Sequence, residues 1–243
     1  MAAPRRLVAA AQRARRAGAA AVAAAGSDRG AVTAAPLPAS FYDRDTELVA
    51  RELLGAVLEC ITEDGAVASG RIVETEAYLG SHDAACHAVV GRTERTWHLH
   101  GPAGIAYVYL IYGAHWCFNA VTGPEGQGSA VLVRAIEPLA GLHLMRERRP
   151  SARRDRDLGN GPGKLCAALG VDGRLDGVPL QRPPLLVRAG DAVPDERVVV
   201  TPRIGITRAA DLPLRYFVED SEYVSKTPKG FARISYRRPS AAR

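Results

Sequence analysis

Residues 71–80, RIVETEAYLG, form a run of strand character that carries two carboxylates and a tyrosine at alternating positions. Alternation along a strand places Glu74, Glu76 and Tyr78 on one face. Burying two carboxylates costs on the order of several kcal/mol unless they have partners or a chemical role. The segment therefore predicts either an edge strand with an acidic solvated face or a strand that carries chemistry.

The rest of the chain is typical of one ordinary globular domain. It has 243 residues, of which 47% are hydrophobic and 24% charged. This is enough to bury a sizeable core, and no segment approaches the 18 consecutive apolar residues of a membrane span. We expect no membrane association.

Periodicity predicts an α+β fold in which a curved, mostly antiparallel central sheet carries peripheral helices and a protruding β-hairpin. Asp45 and Gly55 bracket an apolar stripe of helical spacing, as an N-cap and a C-terminal glycine do. Further helices are predicted at 138–148 and 162–170. The predicted strands cover residues 56–61, 67–79, 105–112, 118–121, 129–135, 197–200, 204–207 and 214–218.

The two ends differ in composition from the middle. Residues 1–40 hold six arginines and one acid within an alanine-rich sequence, so we expect a disordered tail. The predicted domain covers residues 41–228, and residues 229–243 are expected to be a basic extension. Arginine outnumbers lysine 29 to 3, which favours a GC-rich bacterial source and hence a cytoplasmic protein at the nucleoid.

The cysteines and histidines predict neither disulfides nor a metal site. Four cysteines lack any C-x-x-C spacing, and no second ligand pair accompanies His98 and His100. We interpret the cysteines as reduced thiols in or near the core.

Residues 41–243 are almost neutral, with 26 basic and 25 acidic side chains, so any affinity for nucleic acid must come from where the arginines cluster. One cluster has two interpretations, a solvated loop or a phosphate-contacting surface. Its members are Arg146, Arg148, Arg149, Arg153, Arg154 and Arg156.

The glycine-rich loop 159–164, GNGPGK, resembles a P-loop only in part. Leu165 stands where a Ser or Thr would bind magnesium, and Leu158 where the first glycine belongs. What remains is a helix N-terminus at Gly163 beside Lys164, suited either to hold a backbone phosphate or to serve as a plain helix cap.

Several blocks in a fixed order resemble the alkyladenine (3-methylpurine) DNA glycosylase family. The resemblance runs from about residue 41 to about residue 226. Its blocks are the 71–80 segment, DAACH at 83–87, GIAYVYLIYG at 104–113, AHWCFN at 114–119 and VLVRAIEP at 131–138.

The resemblance implies a role for each matching residue. Glu76 matches the general base that activates water, and Arg134 matches a residue near that water and the DNA backbone. Tyr112 matches the side chain that fills the gap left by a flipped nucleotide. The pocket residues implied are Tyr78, His87 and Tyr109, which sandwich the base, and Asn119, which disfavours the amino group of guanine. Glu74 is assigned structural support.

The implied activity is that of a monofunctional glycosylase that flips damaged purines from double-stranded DNA and hydrolyses the N-glycosidic bond without a cofactor. We expect a monomer that acts on 3-methyladenine, hypoxanthine and related lesions in base excision repair. Two alternative functions remain. A non-catalytic nucleic-acid-binding module would not need Glu76, and a hydrolase of free nucleosides would not need Tyr112.

The chain departs from the family pattern between His87 and Gly104. The family usually has a Ser-Arg-Gly type sequence followed by an Arg-Asn and Met/Phe run, whereas residues 88–90 are Ala-Val-Val and residues 95–100 are Arg-Thr-Trp-His-Leu-His. We expect this segment, with Trp97, Leu99 and His100, to affect either DNA contact or lesion preference.

Overall fold

A computed structural model describes residues 34–236 as an α+β domain built on one antiparallel sheet. Its strands are β1 (Val57–Ile61), β2 (Val67–Tyr78), β3 (Ala106–Ile111), β4 (His115–Thr122), β5 (Ser129–Ala140), β6 (Gln181–Arg182), β7 (Leu185–Arg188), β8 (Val198–Thr201), β9 (Arg215–Val218) and β10 (Ile234–Ser235). Its α-helices are α1 (Ala39–Tyr42), α2 (Thr46–Glu52), α3 (Leu142–Arg148), α4 (Arg156–Gly159) and α5 (Pro162–Leu169). The predicted fold class is confirmed.

Strand β2 is the centre of the sheet. Its first half pairs with β1, its second half with β9, and β5 runs along its other edge. Glu74 and Glu76 therefore lie on an interior strand, where neither side chain has any exposed surface. The edge-strand interpretation of this segment is wrong, because strands flank it on both sides.

Strands β3 and β4 form a hairpin that joins the rest of the sheet through β5. Ile111 pairs with His115 across a three-residue loop that begins with Tyr112 and Gly113. Both loop residues have positive φ, 53° for Tyr112 and 65° for Gly113. The ring of Tyr112 is 85% exposed, so this turn presents an aromatic side chain to solvent.

The helices begin and end largely where their capping residues predict. The Asp45 side chain accepts a hydrogen bond from the Leu48 amide at the start of α2. Helix α5 begins with Pro162 and ends before Gly170, which adopts a left-handed conformation. It buries Leu165 and Leu169 in the core.

Two predictions from periodicity are wrong. Strand β5 continues to Ala140, so the helix predicted from residue 138 begins only at Leu142. The strand tolerates Pro138 because this residue lies at a register shift opposite Gly70. Residues 204–207 form a loop, since the Ile204 amide donates to a side chain and not to a neighbouring strand. The short strands β6, β7 and β10 were not predicted.

At the two ends, residues 1–33 and 237–243 lie outside the described residues, and with them most of the predicted tail and part of the predicted extension. Residues 34–40 contact the domain through the Leu37 amide, which donates to the Val187 carbonyl. In the extension, Ile234 pairs with Val200. No helix among residues 34–236 is long and apolar enough to cross a membrane.

Candidate active site

A cavity of about 650 Å³ opens between the β3–β4 hairpin, the end of β2 and the start of α5. This volume lies within the ~300–1,000 Å³ range of small-molecule sites. The predicted residues among those that line it are Tyr78, His87, Tyr109, Tyr112, Asn119, Arg134, Gly163 and Lys164. Residues far apart in the chain, predicted to act together, therefore meet in one cavity.

Aromatic rings form one wall of the cavity. The His87 and Tyr109 rings are 4.5 Å apart, with an angle of 62° between their planes, and Tyr107 packs 5.2 Å from Tyr109. Aromatic contacts of this kind stabilise ring positions by about 0.5–1.5 kcal/mol beyond burial. The wall is therefore held in place before any ligand arrives.

Tyr107 was missed by the sequence reasoning, although it stands two residues before Tyr109 on the same face of β3. Its hydroxyl lies 2.9 Å from Nδ1 of His87. Burial lowers the pKa of His87, and the nearby Arg95 lowers it further. A neutral imidazole whose Nδ1 accepts from Tyr107 keeps its other nitrogen protonated as a donor.

The Glu76 carboxylate lies directly behind the cavity wall and has three donors. Its Oε1 accepts from the Ile204 amide at 2.8 Å and lies 3.2 Å from Nη1 of Arg134. Its Oε2 accepts from the Tyr78 hydroxyl at 3.0 Å. A carboxylate offers about four lone-pair positions, so one remains for a further donor such as water.

Glu74 shares Arg134 with Glu76 and has further donors of its own. Arg134 Nε lies 2.9 Å and Arg215 Nε 2.7 Å from its Oε1, while Ser225 donates to it through both its amide and its hydroxyl. Burial alone would raise the pKa of Glu74, but the two guanidinium groups and these hydrogen bonds hold it below its usual value.

A buried ion pair between Arg203 and Asp83 fixes two parts of the site. Both guanidinium nitrogens of the Arg203 fork bind Asp83, and Nη1 also donates to the Ala77 carbonyl at 2.9 Å. The same guanidinium lies 4.6 Å from the Tyr78 ring centroid. No sequence pattern indicated Arg203, since 120 residues separate it from Asp83.

Asn119 and the α5 N-terminus occupy the remaining walls. Asn119 Nδ2 donates to the Tyr107 carbonyl at 3.0 Å, across the β3–β4 pair. Lys164 Nζ donates to Asn160 Oδ1 at 2.7 Å. The α5 N-terminus lies against the hairpin, since a side chain added at Gly163 would meet His115 Cβ at 2.9 Å.

Five of the six arginines of the cluster have partners within the protein. Arg146 pairs with Asp155, Arg154 with Asp157 and Arg156 with Glu222. Arg148 and Arg149 donate to backbone carbonyls, and Arg149 also lines the cavity. Arg146, Arg153 and Arg154 remain exposed at the surface.

The four cysteines are buried free thiols, as predicted, and Cys117 lines the cavity. Among residues 34–236, no group of three or more His, Cys, Asp or Glu side chains is arranged to hold a metal ion.

The site thus combines an aromatic pocket, a buried carboxylate behind its wall and an exposed tyrosine on a protruding turn. This combination belongs to enzymes that act on a base taken out of a nucleic-acid stack. The chain is a member of the methylpurine-DNA glycosylase family, whose family model matches residues 40–222. As a family member it is a DNA-acting hydrolase of N-glycosyl bonds.

Relatives from distant organisms agree with this assignment. A protein of Methanoculleus marisnigri named "Putative 3-methyladenine DNA glycosylase" is 51% identical over 193 residues, covering 78% of this chain and 98% of the relative. A protein of the same name from Myxococcus xanthus is 52% identical over 195 residues, covering 79% and 94%. The predicted family is confirmed.

Proposed function

We propose that this protein is a monofunctional purine DNA glycosylase that removes 3-methyladenine, hypoxanthine and related lesions from duplex DNA in base excision repair. The observation that carries the proposal is the fully buried Glu76 carboxylate, held by three donors directly behind an aromatic cavity. Its arginine-rich composition favours a bacterial source, so we place its action in the cytoplasm, at the nucleoid, and we expect it to act as a monomer.

The flipped base occupies the aromatic cavity in this proposal. Stacking on aromatic side chains contributes about 1–3 kcal/mol per base, which offsets the few kcal/mol needed to unstack a poorly paired nucleotide. Tyr78, His87 and Tyr109 supply this stacking, and Asn119 disfavours the amino group of normal guanine. Tyr112 fills the gap in the duplex.

Glu76 is the general base. As the glycosidic bond breaks, positive charge develops on the sugar, and a carboxylate both stabilises that charge and accepts a proton from the attacking water. The one lone-pair position left free on Glu76 accepts that proton. Arg134 bridges Glu76 and Glu74, so it holds the Glu76 carboxylate in one orientation.

Lys164 and Gly163 contact a DNA phosphate at the α5 N-terminus. Lys164 lines the cavity, yet the nucleophile in this proposal is water and not its amine. The product is consequently a free base and an abasic site in an intact strand.

The test is incubation of the full chain with duplexes that contain 3-methyladenine or hypoxanthine, followed by separation of the released base. We expect base release, strand breaks only after alkali, and no borohydride-trapped covalent complex. Strand breaks without alkali, with a trapped complex that disappears in Lys164→Ala, would contradict the water mechanism. Binding of lesion duplexes with no base released would favour the non-catalytic binding module.

A further inference from the structure

The segment that departs from the family pattern forms an exposed apolar and basic surface beside the cavity. It comprises Val89, Val90, Arg92, Arg95 and Trp97, and we call it the Trp97 surface. Val90 is 71% exposed and Trp97 54% exposed. Both belong to the few large apolar side chains that the described part of the chain exposes to this extent.

The Trp97 surface is rigidly presented. The Thr93 amide donates to Thr96 Oγ1 at 2.8 Å, the Thr96 amide donates back to Thr93 Oγ1 at 3.2 Å, and Thr96 Oγ1 donates to the Gly91 carbonyl at 2.8 Å. This reciprocal pattern fixes the turn between Arg92 and Trp97. Exposed apolar side chains grouped together and rimmed by charged residues are typical of an interaction site.

The side chains of Arg92 and Trp97 are stacked on each other. The guanidinium carbon of Arg92 lies 3.7 Å from the Trp97 ring centroid, a close cation–π stack. The stack leaves part of the indole exposed and puts a positive charge beside it. An aromatic ring next to an arginine is the combination with which proteins contact bases and the phosphates between them.

The Trp97 surface is continuous with the proposed DNA site. His87, which lines the cavity, begins the same short 3₁₀-helix that ends at Val90. Arg95 donates to the Leu110 carbonyl at 3.3 Å and lies 5.8 Å from the Tyr109 ring centroid. The surface therefore lies on the β3 side of the hairpin.

The other side of the hairpin faces the proposed phosphate contact. Gly163 lies against His115, the first residue of β4, and its neighbour Lys164 lines the cavity together with His115. Tyr112 is consequently flanked by Lys164 on the β4 side and by the Trp97 surface on the β3 side. A duplex with Tyr112 inserted extends across both flanks.

We infer that the Trp97 surface is a second DNA-contacting site, which packs Trp97 and Val90 against the duplex on the β3 side of Tyr112 while Arg92 and Arg95 face its phosphates. The partner is DNA and not an apolar protein face, because two arginines accompany a single exposed carboxylate, Glu94. This inference rests on the proposed function, but its test does not depend on catalysis.

Intrinsic fluorescence gives a direct test, since the chain contains two tryptophans. In a Trp116→Phe variant, Trp97 is the sole tryptophan, and excitation at a wavelength that tyrosine does not absorb reports on it alone. We expect a short duplex carrying a tetrahydrofuran abasic analogue to quench this emission and to protect it from acrylamide. Unchanged emission and acrylamide quenching at saturating duplex would overturn the inference, even if the protein releases damaged bases normally.

A matched pair of exposed valines gives an independent test in the unaltered background. Val67 lies at the far end of β2 from Tyr78, about 35 Å away along the strand. We expect Trp97→Ala to weaken binding of the same duplex about tenfold, and Val90→Ala by a smaller measurable factor, while Val67→Ala binds as the parent does. Base release by Val67→Ala should equal that of the parent.

Equal duplex affinities for all three variants and the parent would overturn the inference. Failure of the parent to release any base, with Trp97 still quenched by the duplex, would instead reject the proposed catalytic function and leave the contact site standing.

Discussion

Arg134 bridges the two buried carboxylates of β2: its Nε lies 2.9 Å from Glu74 Oε1, and its Nη1 lies 3.2 Å from Glu76 Oε1. A single guanidinium thus links the proposed catalytic base to a carboxylate that is already held by Arg215 and Ser225. Through this link, the rigidity of the sheet interior is transmitted to Glu76.

Replacing Arg134 with lysine should separate charge from geometry. Lysine keeps the positive charge but lacks the planar fork that reaches both carboxylates. Since a hydrogen bond to a charged group contributes about 1.5–3 kcal/mol, we expect kcat to fall about 10- to 100-fold. Single-turnover base release measures this, and parental kcat in Arg134→Lys would show that the bridge is dispensable.

Replacing Arg203 with methionine should lower activity indirectly, because Arg203 supports the site through its buried ion pair with Asp83. The change leaves Asp83 as an unpaired buried carboxylate, which costs about 3–5 kcal/mol. It also releases the loop whose Ile204 amide binds Glu76, so kcat should fall more than KM rises. The double variant Arg203→Met with Asp83→Asn should recover much of the stability but not the rate.

A double-mutant cycle checks this prediction, with urea unfolding for stability and single-turnover kinetics for rate. Recovery of both quantities in the double variant would mean that Arg203 serves folding alone. If the effects of the two substitutions on the free energy of unfolding simply add, this would contradict the buried Arg203–Asp83 pair.

Tyr112 should show opposite effects on stability and activity. Its φ of 53° is unfavourable for a side chain with a Cβ, at about 1 kcal/mol or more, and glycine relieves this strain. We expect Tyr112→Gly to raise the free energy of unfolding by up to about 1 kcal/mol while it weakens lesion-duplex binding. Tyr112→Ala, which keeps the strain, is the control and should lose binding without gaining stability.

Glu74 should make the protein sensitive to acid. Its pKa in the folded state lies below the ordinary value of 4.5, so below about this pH the unfolded chain binds a proton that the folded chain does not. The stability that Glu74 provides is therefore present above pH 4.5 and is lost as the pH falls towards its folded pKa. Thermal unfolding at several pH values measures this loss.

The Glu74→Gln variant should be less stable than the parent at pH 7, with a difference that shrinks as the pH falls below 4.5. Glu125→Gln, on an exposed loop, is the control and should follow the parent at every pH. A constant difference between Glu74→Gln and the parent across this range would contradict the assigned ionisation.

The elements that the sequence predicts well are those whose signals are local. Asp45 marks a helix start through its side-chain cap, Gly170 marks a helix end through its left-handed backbone, and the alternation around Glu76 marks a strand. Pro138 misled the prediction because its tolerance depends on a register shift opposite Gly70, which is a property of two strands together.

The proposed pocket residues could be predicted because they match a family motif, and the cavity brings them together as expected. The residues that hold the site residues in place could not be predicted from the sequence. Arg203 and Ser225 reach Asp83 and Glu74 across 120 and 151 residues, and nothing in their local sequence marks them as partners. The exposed state of Trp97 likewise depends on the Thr93–Thr96 turn and on the position of Arg95 against β3.

The central claim is that Glu76 activates the water, and single-turnover release of hypoxanthine by the parent and by Glu76→Gln tests it most directly. Glutamine preserves the shape but cannot accept a proton, and such transfer contributes about 10²–10⁴ in rate. We predict a loss of this size with lesion-duplex affinity retained and with Glu125→Gln fully active. Release by Glu76→Gln at the parental rate would contradict the account.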